Sequence, residues 1–461
     1  MESVKNDDDG LLPVGVNTGE HSDKVQCEQC VVNSYDNPIE ASKNMCKKSA
    51  EESEVKPVSV SDQKNTRYLF ENLIEITGAR KDFYDQDRLS YFSKGCKWAP
   101  DGTCILSNSD DNVLRIFDLP QELHCQESWG SNQTLPEIRS VLRIQEGRLV
   151  YDYCWYPLMS SWNPLSCCLV SSSQFSPIHL WDAFTGELRC TYSVFNHLDE
   201  LDPAFSVAFD ASGERLYAGC NSKVCVFRTG MPGRVCQARL LKDTSLHVEK
   251  QYGLVGCIAV NPVMSSIYAV GSYAKSIGLY CEPDGTMLCL LQGHTGGITH
   301  LEFSPDGTRL YSGGRKDPEI LCWDMRYPGT VLFSAHRAVH TNQRVYFNQT
   351  SNGKFLLSGT TEGSVIVWDT TGTPEATSGD PVLRPCKVFP VHKDAVCGVS
   401  LHQQYPILAT SSGQRHFPKP TQESDDDLSD KIPKPLFDRT FESQENCLKL
   451  WWAGKESVSL S

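Results

Sequence analysis

The chain has 461 residues, 39% of them hydrophobic, and a formal net charge of −14; this is enough apolar material for a sizeable core and excludes a chain that is disordered throughout. No run of 18 uncharged apolar residues occurs, and the N-terminus MESVKNDDDG has neither the basic nor the apolar region of a secretion signal, so a soluble protein made in the cytosol, without a membrane contact, is expected. In that reducing setting the 20 cysteines read as small buried hydrophobes, and Cys154, Cys257 and Cys322 fall inside strand patterns.

In chain order, residues 1–66 come first, with 13 Asp and Glu against 7 Lys and Arg, and are expected to form a disordered acidic tail. Within it CEQC (27–30), with Cys46 and His21 nearby, has metal-type spacing, but the second CxxC of a zinc site is missing; no metal and no other cofactor is expected. Segment YLFENLIEI (68–76) is a candidate outer strand for closing a ring.

A strand-then-turn plan then recurs seven times: CKWAPDG (96–102), YCWYPLM (153–159), VAFDASG (207–213), IAVNPVM (258–264), LEFSPDG (301–307), VYFNQTSNG (345–353) and VSLHQQY (399–405). A second series follows, VLRIFDL, PIHLWDA, KVCVFRT, SIGLYCE, EILCWDM, SVIVWDT and CLKLWWA, strands that end in Trp-Asp or a worn version of it. Two such strands per copy, with room for two more, predict an all-β seven-bladed WD40 β-propeller over residues 67–455, with blade marks near 118, 182, 228, 281, 324, 369 and 452. Residues 418–445, with 8 acidic against 4 basic residues, are placed as a disordered acidic loop within the last blade, and 456–461 as a short tail. In the fifth copy His294, Ser312, Asp317 and Trp323 have the types and spacing of a bracing tetrad, which makes His294 structural.

In this blade plan the loops joining second to third strands share one face with the loops that precede the first strands. There the fourth copy brings Tyr273 and Lys275, the fifth Arg315 and Lys316, and the seventh Gln414, Arg415, His416 and Phe417, while HRAVHTNQR (336–344) adds Arg337 and Arg344. Basic residues beside aromatic ones are what single-stranded nucleic acid requires: cations for phosphates, flat groups for unstacked bases. Arg326, just after Trp-Asp, belongs to the opposite face. No GxSxG, GxxxxGK[ST], HExxH or placed dinucleotide fingerprint occurs, and His197 and His300 lack a Ser or Cys partner, so no catalytic residue is assigned and no enzyme is expected. The residues alone go as far as a seven-bladed interaction platform, its basic face fitting single-stranded nucleic acid and acidic protein partners alike.

The phrases GCKWAPDGTCILSNSDDNVLRIFDLP (95–120), PIHLWDAFTGELR (177–189), NHLDEL (196–201), GGITHLEFSPDGTRLYSGGRKDPEILCWDMR (296–326), TNQRVYF (341–347) and SGQRHFP (412–418) resemble the vertebrate telomerase Cajal body protein family of WD40 proteins across nearly the whole propeller. The resemblance implies a non-catalytic RNA-binding subunit that recognises the Cajal body box, a short loop motif of small Cajal-body RNAs and telomerase RNA, and holds those RNAs in Cajal bodies. Implied partners are the box H/ACA ribonucleoprotein including dyskerin, the telomerase reverse transcriptase holoenzyme and coilin. A scaffold role for a ubiquitin ligase at DNA breaks is implied as well, with nuclear, Cajal-body, telomeric and DNA-damage locations. On that basis Tyr273, Lys275, Arg315, Lys316, Arg344, Gln414 and Arg415 are expected to contribute to the RNA face. The alternative is a general WD40 interaction scaffold, a ubiquitin-pathway adaptor with no specific RNA binding.

Overall fold

The computed structural model describes residues 68–84, 90–241, 250–416 and 445–457. The acidic tail, CEQC with Cys46 and His21, Phe417 and the segment 418–445 up to its last residue, Glu445, lie outside the described residues. No helix among the described residues is long and apolar enough to cross a membrane.

Each of the seven repeats builds one four-stranded antiparallel sheet. The first strands, such as Ser93–Trp98 in blade 1 and Ile298–Phe303 in blade 5, line the axis; the third strands, such as Val113–Asp118 and Glu319–Asp324, carry the Trp-Asp series. Burial is almost continuous along most third strands, Val113–Asp118 and Glu319–Asp324 among them, because neighbouring blades cover both sheet faces, which is why those sequences do not alternate. The turns after the first strands close on Gly102, Gly213, Gly307 and Gly353 at φ of 77°, 71°, 70° and 67°, a left-handed conformation that favours glycine.

The Trp-Asp brace of blade 5 is complete. Trp323 Nε1 donates to Ser312 Oγ at 2.8 Å, Ser312 Oγ lies 2.7 Å from His294 Nε2, and His294 Nδ1 lies 2.9 Å from Asp317 Oδ2. Burial opposes ionisation of Asp317, yet His294 and the backbone amides of Glu319 and Gly296 hold its carboxyl at about 2. Blade 7 repeats the brace with Trp451, Thr410 and His392, and Glu445, beyond the acidic segment, faces His392 at 3.7 Å. In other blades the histidine slot holds Glu146, Gln251 or Arg337, each bonded into its own sheet.

Blade 7 takes its outer strand from the other end of the chain. Ile74–Ala79 pairs antiparallel with Leu448–Trp452, so the strand lies later than the YLFENLIEI segment predicted; Leu69 N bonds Ala453 O instead, and Tyr68 and Phe70 fill the core between blades 6 and 7. The free edge of this closing strand is covered as well: Leu135 N and Ile138 N donate to Ile76 O and Gly78 O, and Thr77 Oγ1 to Pro136 O at 2.6 Å. A chain beginning at residue 90 is expected to melt at least about 10 °C below the full chain, because it loses a whole strand ladder and the Tyr68 and Phe70 packing. Equal melting in a thermal scan would show that the strand is not the clasp.

Candidate nucleic-acid interface

Several first strands begin with a bulge. Register shifts fall at Ser93/Gly95, Val150/Asp152, Val255/Cys257, Ile298/His300 and Val396/Gly398. A bulge turns its extra residue out of the ladder, here at the upper mouth of the channel, and in blades 1 and 2 that residue is Lys94 and Tyr151. Tyr151 packs on Phe205 of blade 3 with ring centroids 5.1 Å apart. Burial lowers the Lys94 ammonium to about 8, against the pull of Asp110, whose carboxylate lies 3.8 Å away. Sequence reasoning misses Lys94, Tyr151 and Phe205, because a bulge is a property of pairing register and leaves no composition signal in one strand.

The second-to-third-strand loops surround this mouth. Arg315 lies flat on Tyr273, its guanidinium carbon 3.6 Å from the ring centroid. That stack has a tailored floor: a Cβ on Gly256 would meet the Tyr273 ring at 2.3 Å, and one on Gly297 would meet the Tyr273 backbone at 2.8 Å. Lys275 and Lys316 are exposed at the loop tips, both with left-handed backbones at φ of 67° and 49°. Lys316 N bonds Thr341 O, which ties blade 5 to the loop before blade 6. Further round, Gln414 Nε2 donates to Asp394 at 2.9 Å, Arg415 N to Gln343 Oε1 at 2.9 Å, and the Arg415 guanidinium lies 3.3 Å from Asp110. His416 also bonds Asp394, at 2.7 Å. Tyr273, Lys275, Arg315 and Lys316 therefore cluster on blades 4 and 5, with Gln414 and Arg415 at the seam of blades 7 and 1.

Two arginines expected at the surface are elsewhere. Arg337 is buried, donating to Val345 O and Ser358 Oγ, and burial lowers its guanidinium to about 10. Arg344 turns into the channel, where it donates to Asp152 Oδ1 at 2.8 Å, Tyr346 Oη at 2.9 Å and Gly256 O at 2.7 Å. A loop position sets where a backbone runs; the carboxylate of Asp152, 192 residues away in sequence, decides where this side chain goes. Arg326, by contrast, is on the lower face, paired with Asp324 and largely exposed. His300 sits in the core against Tyr346 and Phe347, and His197 in an exposed loop.

Arg344 links blades 6, 2 and 4 across the axis, and Lys97 of blade 1 joins them, 3.9 Å from Asp152 and 4.7 Å from the Tyr153 ring centroid. Burial opposes the charge of Lys97 and Arg344, but Tyr346 and Asp152 hold both above their usual ranges. Burial, reinforced by Arg344 and Lys97, pushes His300 well down, so it is neutral. Burial likewise raises Glu302 to about 8. Lys97 and Arg344 thus face a single carboxylate, that of Asp152, beneath the upper face. Near blade 7, His392, Glu445 and Cys447 come within 4.8 Å of one another, but Lys449 Nζ already sits 2.9 Å from Glu445 and supplies the cation there.

The folded pKa of Glu302 lies above its ordinary 4.5, so between about pH 4.5 and 8 the folded chain keeps a proton that the unfolded chain has lost. Stability from this group falls as pH rises through that window. Glu302→Gln, which keeps the acceptor used by Asn348 and Gln349, is expected to raise stability at pH 8.5 by on the order of a few kcal/mol and to change it little at pH 4.5. Equal shifts in denaturant midpoint at both pH values would contradict this.

Fold and site define a WD-repeat interaction platform, a seven-bladed propeller with a basic and aromatic upper face. The family model for the WD domain, G-beta repeat, matches residues 94–118 and 285–324. Over 379 residues, 82% of this chain, it is 48% identical to Telomerase Cajal body protein 1 of Bos taurus, 49% to that of Mus musculus and 48% to that of Homo sapiens, with 68%, 69% and 66% of those proteins covered. The chain belongs to the telomerase Cajal body protein 1 family.

Proposed function

We propose that the protein is a non-catalytic RNA-binding subunit whose upper face recognises the Cajal body box loop of small Cajal-body RNAs and telomerase RNA. It retains these RNAs in Cajal bodies within the nucleus and takes part in telomerase assembly beside the box H/ACA proteins, dyskerin among them, and coilin. The observation that carries the reading is the Arg315–Tyr273 stack flanked by exposed Lys275 and Lys316, above the point where Lys97 and Arg344 face the Asp152 carboxylate. Short unpaired loops are the usual targets of sequence-specific RNA readers, since their splayed bases reach aromatic rings and guanidinium planes. Arg315 and Lys316 contact phosphates or base edges; Tyr273 positions Arg315; Gln414 and Arg415 border the same face. Arg344 acts from beneath, as the cation that braces the channel mouth. A scaffold role at telomeres and DNA breaks, including that of a ubiquitin-ligase adaptor, uses the lower face, which carries none of the proposed RNA contacts.

The variant Arg315→Glu with Lys316→Glu is expected to bind a Cajal-box hairpin at least tenfold more weakly than the parent chain, with native melting. Its salt dependence should flatten by roughly 0.7 in log–log slope for each phosphate that is no longer neutralised. Unchanged affinity and slope in a filter-binding titration would remove the pair from the site, and equal affinity of the parent chain for a scrambled loop would favour the general scaffold.

A further inference from the structure

We propose that the lower face of blade 2 is a docking surface for a segment of another protein that combines apolar side chains with lysine or arginine. Trp162 is 95% exposed, whereas the other described tryptophans are buried or half-buried. Leu158, Leu165 and Phe184, from the same two lower turns of this blade, are exposed beside it in the fold.

The loop carrying Trp162 is held rather than slack. Asn163 N bonds Ser160 O and Ser166 Oγ bonds Asn163 O at 2.7 Å, while Ser161 N is tied across to Asp101 Oδ2 of blade 1 at 2.7 Å. Met159 is buried beneath. Arg189 binds three carbonyls of the loop, Leu165 O at 2.6 Å, Pro164 O at 3.0 Å and Cys167 O at 3.1 Å, and is itself held by Asp182 at 2.7 Å. An exposed indole on a backbone held in this way presents a large contact area, and aromatic side chains of this kind are enriched among the anchoring residues of protein interfaces.

Charge selects the occupant. Asp101 borders the loop, and Asp118 and Glu187 are exposed at the ends of neighbouring lower turns, whereas Arg189, which holds the loop, is neutralised by Asp182. Such a rim repels RNA phosphates, anionic lipid, and the chain's own acidic segments 1–66 and 418–445. A second copy would bring the same negative rim against itself. A partner cation satisfies the rim and can also lie on the indole face. The upper face has the opposite character, so RNA and this partner are accommodated on separate sides of one ring.

The test uses the full chain labelled with 5-fluorotryptophan, with Trp162→Phe assigning its resonance. Titration with an amphipathic Leu/Lys helical peptide is expected to shift the Trp162 signal, and the matching Leu/Glu peptide, oligouridine and phosphatidylserine vesicles are expected to leave it in place. By anisotropy of the labelled Leu/Lys peptide, Trp162→Ala is expected to raise Kd at least tenfold and Glu187→Lys severalfold, both with native melting, while the double variant at Arg315 and Lys316 binds as the parent does. A Trp162 signal that ignores both peptides, that responds to RNA or vesicles, or that shifts with protein concentration alone would overturn the proposal.

Discussion

The structure depends on one strand pairing, Ile74–Ala79 against Leu448–Trp452. Each blade is a wedge with two apolar faces, and a row of wedges leaves two such faces bare unless the last blade meets the first. Pairing the two ends of the chain fixes blade 7 between blades 6 and 1, and the loop over residues 135–138 then seals the strand's own edge. The pairing spans more than 300 residues of sequence, so its loop-closure cost falls on folding and is offset only when the whole ring is in place.

Closure brings the polar interior of the ring together. Arg344, Asp152 and Lys97 come from three different blades, and a charged group of this kind is tolerable at the axis only because its partners are delivered at the same depth. The bulges at the tops of the first strands follow from the same geometry. They release Lys94 and Tyr151 from the ladder at the rim, next to loops that carry Tyr273 and Arg315. The upper face is thus assembled from short contributions of many blades on a rigid frame, an arrangement suited to reading a small ligand from several sides.

The ring itself is legible in the sequence because propeller blades repeat: seven turns and seven strands ending in Trp-Asp or a worn version of it give architecture, order and third-strand positions without any pairing information. The tetrad of blade 5 is legible for the same reason, its spacing being set by three consecutive strands of one repeat. Arg337 and Arg344 are misplaced by sequence because both lie in a loop on the right face while their side chains answer to other partners: Ser358 on the second strand of the same blade for Arg337, and Asp152, which only the closed ring brings near, for Arg344. Lys94, Tyr151 and Trp162 escape sequence reasoning for related reasons. A bulge depends on register, and the exposure of an indole depends on whether a neighbouring blade covers it.

The most direct measurement of the central claim is a photo-crosslinking map of the full chain bound to a Cajal-box hairpin with 4-thiouridine at each loop position in turn. The account expects crosslinked peptides from the bulge at Lys94, from the Tyr273–Lys275 and Arg315–Lys316 loops, and from Gln414–Arg415, with each loop nucleotide favouring one of them. Crosslinks concentrated on the lower turns, around Trp162 or Arg326, or spread without regard to loop position, would contradict it.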